Sequence, residues 1–171
     1  MSRDNSSIVE VADLRRRMGE HRSIELTVTH EPLIVGSSRV DAADLITLRL
    51  TLESISTGIS ASGDLSVDWH GSCRRCLDDV TGRLLVEVSE VFAERPVEGE
   101  TYPIGRDQLD VADLARDAVL MALPTAPLCR EDCGGPSTDR FPVTVEVDEP
   151  DEAPIDPRWA ALDVLREPPP S

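Results

Sequence analysis

The most regular feature of this sequence is an alternation of apolar and polar positions that begins at Ile46 and runs to Phe92. Ile46, Leu48, Leu50 and Leu52 alternate with Thr47, Arg49, Thr51 and Glu53. After a turn near Gly58, the residues Ile59, Ala61, Gly63, Leu65, Val67 and Trp69 alternate with Ser60, Ser62, Asp64, Ser66, Asp68 and His70. A period of two over this length describes strands with one buried and one wet face. The short connection makes the two an antiparallel pair. A third strand is predicted over 80–92, with Leu84, Val86 and Val88 on one face and a register-shifting bulge near Ser89. Ile24, Leu26 and Val28, alternating with Glu25 and Thr27 ahead of Pro32, supply a fourth. The pattern is that of a mainly antiparallel meander.

The period then changes. Val111, Leu114, Ala115, Ala118 and Ala122 recur at helical spacing, which predicts a helix over 110–123 with Asp110 as N-cap, Asp113 in the first turn and Pro124 as its stop. Val119, Leu120 and Leu123 make its C-terminal end apolar nearly all round, so it should pack on the open face of the sheet, with Met121 as core filler. A short helix is expected at Asp13–Met18, capped by Asp13 and stopped at Gly19. The predicted class is α+β: a single domain over 1–140, with a corner clamped by cysteines. Beyond it, 141–147 has a strand pattern, 141–156 reads as an acidic linker, and 157–166 reads as a C-terminal helix. Asp156 is its N-cap and Pro157 its first residue. Trp159, Leu162 and Leu165 fall on one side of that helix, which is too short to persist alone and must dock on its own sheet or on a partner.

Charge narrows the function classes. The chain carries 33 acids against 17 bases, a formal net charge of −16, and every base is arginine. Nucleic-acid binding draws on bases that neutralise phosphates, so coating of bare nucleic acid is disfavoured. Six acids and no base lie between Glu146 and Asp156, which describes a solvated linker or a contact for a basic partner such as a ribosomal protein. No apolar run reaches the ~18–20 residues of a membrane span and no signal segment opens the chain, so a cytoplasmic protein is expected. At 40% hydrophobic residues the chain can bury a core, and with only 3% aromatic residues that core must be aliphatic.

Chemistry concentrates in four cysteines. Cys73-Arg74-Arg75-Cys76 is a C-x2-C turn between two predicted strands, the setting of a zinc knuckle. Cys129 and Cys133 form a C-x3-C pair after the helix. Two close pairs from distant parts of a chain point to a structural zinc held by four thiolates, with no open position for a catalytic water. Four reduced thiols, or a redox pair at the C-x2-C, are the alternatives; a thioredoxin-like motif, however, opens a helix rather than joining two strands. Arg74 and Arg75 on the knuckle are candidates for an RNA or phosphate contact, with plain solvation as the alternative. His70, beside the knuckle, is either a substitute ligand or a surface residue at a strand end. His21, His30 and His70 show no metal-ligand spacing, and no phosphate-binding glycine loop or nucleophile elbow is present. These residues describe no enzyme and no small-molecule substrate.

An ordered series of segments resembles the YceD family, the large ribosomal RNA subunit accumulation proteins. It runs from Leu48-Arg49-Leu50-Thr51-Leu52-Glu53-Ser54 and Gly58-Ile59 to Gly71-Ser72-Cys73-Arg74-Arg75-Cys76-Leu77. It continues through Asp113-Leu114-Ala115-Arg116-Asp117 and Leu123-Pro124-Thr125-Ala126-Pro127-Leu128-Cys129-Arg130-Glu131-Asp132-Cys133 to Asp156-Pro157-Arg158-Trp159-Ala160-Ala161-Leu162. The resemblance spans about residues 40–165. It implies a cytosolic, non-catalytic factor needed to accumulate or mature large-subunit ribosomal RNA, with the precursor large subunit, its protein or its RNA, as partner. One difference is that many family members extend the second cysteine segment into a further L-C-x-x-C-G, where this chain has Gly134-Gly135-Pro136-Ser137. A zinc-stabilised protein-interaction adaptor unrelated to ribosomes is the rival reading.

Overall fold

The alternating residues form strands almost position for position in a computed structural model, which describes residues 7–137. In chain order the strands are β1 (Ile8–Glu10), β2 (His21–Val28), β3 (Leu33–Val35), β4 (Ser38–Val40), β5 (Ile46–Ile55), β6 (Gly58–Ser72), β7 (Asp79–Ala93), β8 (Tyr102–Pro103) and β9 (Gln108–Asp110), followed by helix α1 (Ala112–Ala122). The architecture is α+β and mainly antiparallel. Seven strands form one sheet, and β1 with β9 forms a separate two-stranded ribbon.

β6 organises the larger sheet. One edge pairs β7 over its whole length, from Gly58↔Ala93 to Ser72↔Asp79. Its other edge is shared: β5 takes the first part, from Gly58 to Ser66, and β4 takes His70 and Gly71. β2 lies outside β5, β3 lies outside β4, and β8 runs parallel to the end of β7. Gly63 interrupts the apolar series of β6 for a steric reason. Its φ is +153°, and a Cβ there would lie 2.0 Å from the Arg49 carbonyl oxygen of β5.

The inward positions build an aliphatic core. Ile46, Leu48, Leu50 and Leu52 of β5, with Ile59, Ala61, Leu65 and Val67 of β6, face Leu114, Ala115 and Val119 of α1 and Leu123 beyond it; Val11 and Leu14 join them. Phe92 is a fully buried aromatic, beside Tyr102 at a ring separation of 5.4 Å. α1 lies against β7 and β3, covering the sheet as its periodicity requires. It starts one residue later than expected: Val111 occupies the cap position, while the Asp110 carboxylate accepts the Ala112 N–H at 3.0 Å. Leu123 is extended ahead of Pro124, as the ring of a following proline demands.

Three local expectations are corrected. The β6–β7 register is uninterrupted through Ser62↔Ser89, so there is no bulge at Ser89. The apolar pattern breaks there because Glu90 occupies an inward-facing position near the rim, within electrostatic reach of Tyr102. Met121 is 89% exposed rather than core filler, since the sheet covers only the opposite side of α1. The 13–18 segment forms a single 3₁₀ turn, Leu14–Arg16, with no side-chain cap from Asp13. The short strands β1, β3, β4, β8 and β9 were not legible, because two or three residues show no period. The 141–147 strand pattern, the acidic 141–156 segment and the 157–166 helix lie outside the described residues.

Core and surface should separate cleanly on mutation. Leu48 is fully buried, so Leu48→Ala is expected to cost about 2–5 kcal/mol. Met121→Ala should stay within about 0.5 kcal/mol of the parent. Urea unfolding followed by circular dichroism measures both, and a large loss from Met121→Ala would contradict the packing described.

Candidate metal centre

Both cysteine pairs arrive at one corner for reasons legible in the backbone. The β6–β7 ladder ends at Ser72↔Asp79, so the six residues between must reverse the chain tightly. Cys73 N–H donates to the Asp78 carbonyl at 2.8 Å and Leu77 N–H to the Cys73 carbonyl at 3.0 Å. The turn closes with Leu77 at φ +65°, a left-handed conformation uncommon for leucine, and leaves its side chain 64% exposed. This geometry aims both knuckle thiols to the same side.

The second pair is delivered by the segment that leaves α1. Ser38 Oγ donates to the Pro124 carbonyl at 2.6 Å. The Thr125 backbone then crosses Gly36, where a Cβ would lie 2.2 Å from the Thr125 oxygen. Gly36, at φ +58°, thus serves both the β3–β4 turn and this close approach. Arg74 N–H next donates to the Pro127 carbonyl at 2.9 Å, which stitches the segment onto the knuckle.

The four sulfurs meet there. Sγ of Cys73 and Cys133 are 3.8 Å apart and those of Cys76 and Cys129 are 3.6 Å apart. All four lie within 4.8 Å of one another. A disulfide requires about 2.0 Å, so no pair is bonded. For metal–sulfur bonds of about 2.3 Å, a regular tetrahedron has edges of about 3.8 Å, close to the 3.8 and 3.6 Å separations of these two pairs. Cys73, Cys76 and Cys133 are buried with Val80 and Leu128 packed against them, while Cys129 is exposed. The four thiols thus lie at metal-binding distance in a closed set.

Electrostatics at the corner favour an anchoring thiolate. Backbone N–H groups of Cys76 and Cys129 hold the Cys73 thiol down to about 6 against the effect of burial, helped by the Arg75 N–H, 3.4 Å from its sulfur. The Asp78 backbone pulls Cys76 the same way, but burial and the other three sulfurs push it up to about 12. Cys129 is raised, chiefly by its hydrogen bond with Cys133.

The arginines of the knuckle have different surroundings. Arg75 reaches across the cluster and donates through Nη1 to the carbonyls of Cys133 at 2.8 Å and Glu131 at 3.3 Å, so it clamps the second cysteine segment. Nothing in the sequence distinguished that duty from an RNA contact. The Arg74 side chain is exposed and makes no hydrogen bond or ion pair among the described residues. His70 stands apart from the sulfurs, with Arg39 donating to its Nε2 and Asp41 Oδ2 3.4 Å away. Trp159, Leu162 and Leu165 lie outside the described residues.

A folded sheet closed at one corner by four cysteines defines a small protein with a metal-compatible structural clamp. Comparison with known proteins is specific: residues 61–166 match the model of the YceD family, described as large ribosomal RNA subunit accumulation protein, and the chain belongs to that family. An uncharacterized protein of Mycobacterium tuberculosis is 35% identical over 164 residues, covering 90% of this chain and 78% of the relative. An uncharacterized protein of Mycobacterium bovis matches to the same extent. One from Mycobacterium leprae is 33% identical over 125 residues, covering 68% and 57%. No solved structure matches the chain. Among the described residues, no helix is long and apolar enough to cross a membrane.

Two outcomes follow from this geometry. The purified protein should bind about one tetrahedral metal ion, and Cys73→Ser or Cys133→Ser should abolish binding and lower the melting temperature well beyond a surface change. Metal analysis and calorimetry check this, and a metal-free protein with unchanged melting would contradict it. The second outcome concerns pH. Cys76 and Cys129 keep their protons at neutral pH without metal, so binding must expel about two or more of them. Metal affinity should therefore rise with pH and fall on acidification. Titration calorimetry in buffers of different ionisation enthalpy counts the released protons.

Proposed function

We propose that this protein is a non-catalytic cytoplasmic factor required for the accumulation or maturation of large-subunit ribosomal RNA, and that the ion at its cysteine corner is a structural zinc. The family match over 61–166 carries this reading, because it includes both cysteine pairs and the helix between them. Four thiolates at the separations of a single tetrahedral ion suit zinc and leave no coordination position open for chemistry. The role assigned to the metal is to join the β6–β7 turn to the segment after α1.

The partner is the immature large subunit, and the contact is to protein in the first instance. A net charge of −16 opposes approach to phosphates, whereas the six acids between Glu146 and Asp156 attract a basic ribosomal protein. Arg74, exposed at the knuckle, is the local contact we assign to RNA or an acidic group. Arg75 supports it from the clamped side. Trp159, Leu162 and Leu165 form the apolar face offered to a groove on the partner.

Gradient sedimentation of cell extracts tests this reading. The protein should travel with immature large subunits, and its depletion should lower large-subunit ribosomal RNA relative to small-subunit RNA. Purified protein should bind naked precursor RNA weakly at physiological salt. Tight binding to that RNA with no protein present, or absence from all ribosomal fractions, would refute it.

A further inference from the structure

Among the described residues, β7 leaves a long edge open: it pairs β6 along one side throughout, but on the other side it pairs only β8, at Phe92 and Ala93. Residues 79–91 therefore have no strand beside that edge among the described residues, and their outward backbone groups form a template for another strand. At about 3.4 Å per residue this edge is about 44 Å long. It contains no proline, and its pairing with β6 contains no bulge, two devices by which sheets discourage edge pairing. Leu85 stands at its midpoint, 76% exposed.

The exposed face of the sheet says what belongs beside it. Glu25, Arg49, Asp64 and Glu87 stand in one row across β2, β5, β6 and β7. Arg49 pairs with Glu25 at 3.6 Å. The alternation of sign then fails, because Glu87 lies directly opposite Asp64, and the Glu87 side chain has no ion pair or hydrogen bond among the described residues. Like charges directly opposite each other destabilise a sheet, so the row needs a cation across the open edge.

The same edge supplies that cation when turned upon itself. In antiparallel pairing centred on Leu85, Leu85 meets Leu85 of a second copy, and Arg83 meets Glu87 on both sides of the axis. Thr81 meets Ser89 outside them, and Leu84 meets Val86 on the other face. Centring on Leu84 would set Arg83 against Leu85 and Glu87 against Thr81, and centring on Val86 would set Glu87 against Leu85. Neither neutralises the acid. Arg83 is already oriented on this face by Ser66 Oγ at 3.2 Å and Asp68 at 3.6 Å, and its guanidinium has donors to spare. Pairing about Leu85 also uses the whole of 79–91 and stops where β8 begins.

We propose that this protein forms a two-fold symmetric dimer in which the β7 edges pair antiparallel about Leu85, joining two seven-stranded sheets into one. The occupant of the edge is a second copy of this chain, selected by the twofold Arg83–Glu87 complementarity.

Sedimentation of the full chain at a series of concentrations, with charge-reversal variants, tests this. The parent should show a dimer. Glu87→Arg sets arginine against Arg83, and Arg83→Glu sets glutamate against Glu87. Each variant alone should weaken the dimer by about tenfold or more. An equimolar mixture of the two should restore it as a heterodimer, which also shows that both variants fold. A parent that stays monomeric would overturn the proposal, whether its 79–91 amides exchange freely or are protected by another segment of the chain. Single variants that dimerise like the parent, or a mixture that does not recover, would overturn it equally.

Discussion

The antiparallel ladder between Gly58–Ser72 and Asp79–Ala93 is the constraint on which the rest of this structure depends. It holds one register without a bulge across fifteen paired positions. At one end it buries Phe92 beside Tyr102, and at the other it forces the six-residue reversal that carries Cys73 and Cys76. A slip of one residue would turn Leu65, Val67 and Val88 toward water and rotate the knuckle away from the second cysteine pair. Core and metal corner are consequences of the same register.

The corner also depends on a strap of chain with little regular structure. Between Leu123 and Cys133 the backbone is held by Ser38, by the surface left open at Gly36 and by the Arg74 amide, and is then clamped by Arg75. These contacts order the loop by joining it to two hairpins that are far away in sequence. An ion shared by the four thiolates would add a cross-link between the same parts, and such cross-links matter most where a segment has few apolar contacts of its own. The helix, the strap and the knuckle thus act as one mechanical unit within a family associated with large ribosomal RNA accumulation.

The acidic character of the chain acquires a shape in the fold. On the exposed face of the sheet, Glu25, Arg49 and Asp64 alternate in sign across β2, β5 and β6, and in that row the alternation fails at Glu87 of β7. Among the described residues, an open edge and an unbalanced charge coincide at β7, near the exposed Leu85. Isolated features of this kind are ordinary on protein surfaces, but their coincidence at the midpoint of one edge is what gives them meaning.

The sequence by itself determined β2, β5, β6 and β7, the helix, the aliphatic core and the pairing of cysteines into one corner. Each of these is written in a local period or in close spacing: Ile46 to Leu52 alternate, Val111 to Ala122 follow a helical repeat, and the C-x2-C sits between two strands. Only the tertiary structure decided what depends on residues distant along the chain. It made Met121 a surface residue, removed the expected bulge at Ser89, gave Arg75 to the carbonyls of Cys133 and Glu131, and set Glu87 against Asp64. The physical reason is that periodicity records which face of an element is apolar, whereas register, edge exposure and charge neighbours depend on which strand is placed beside it.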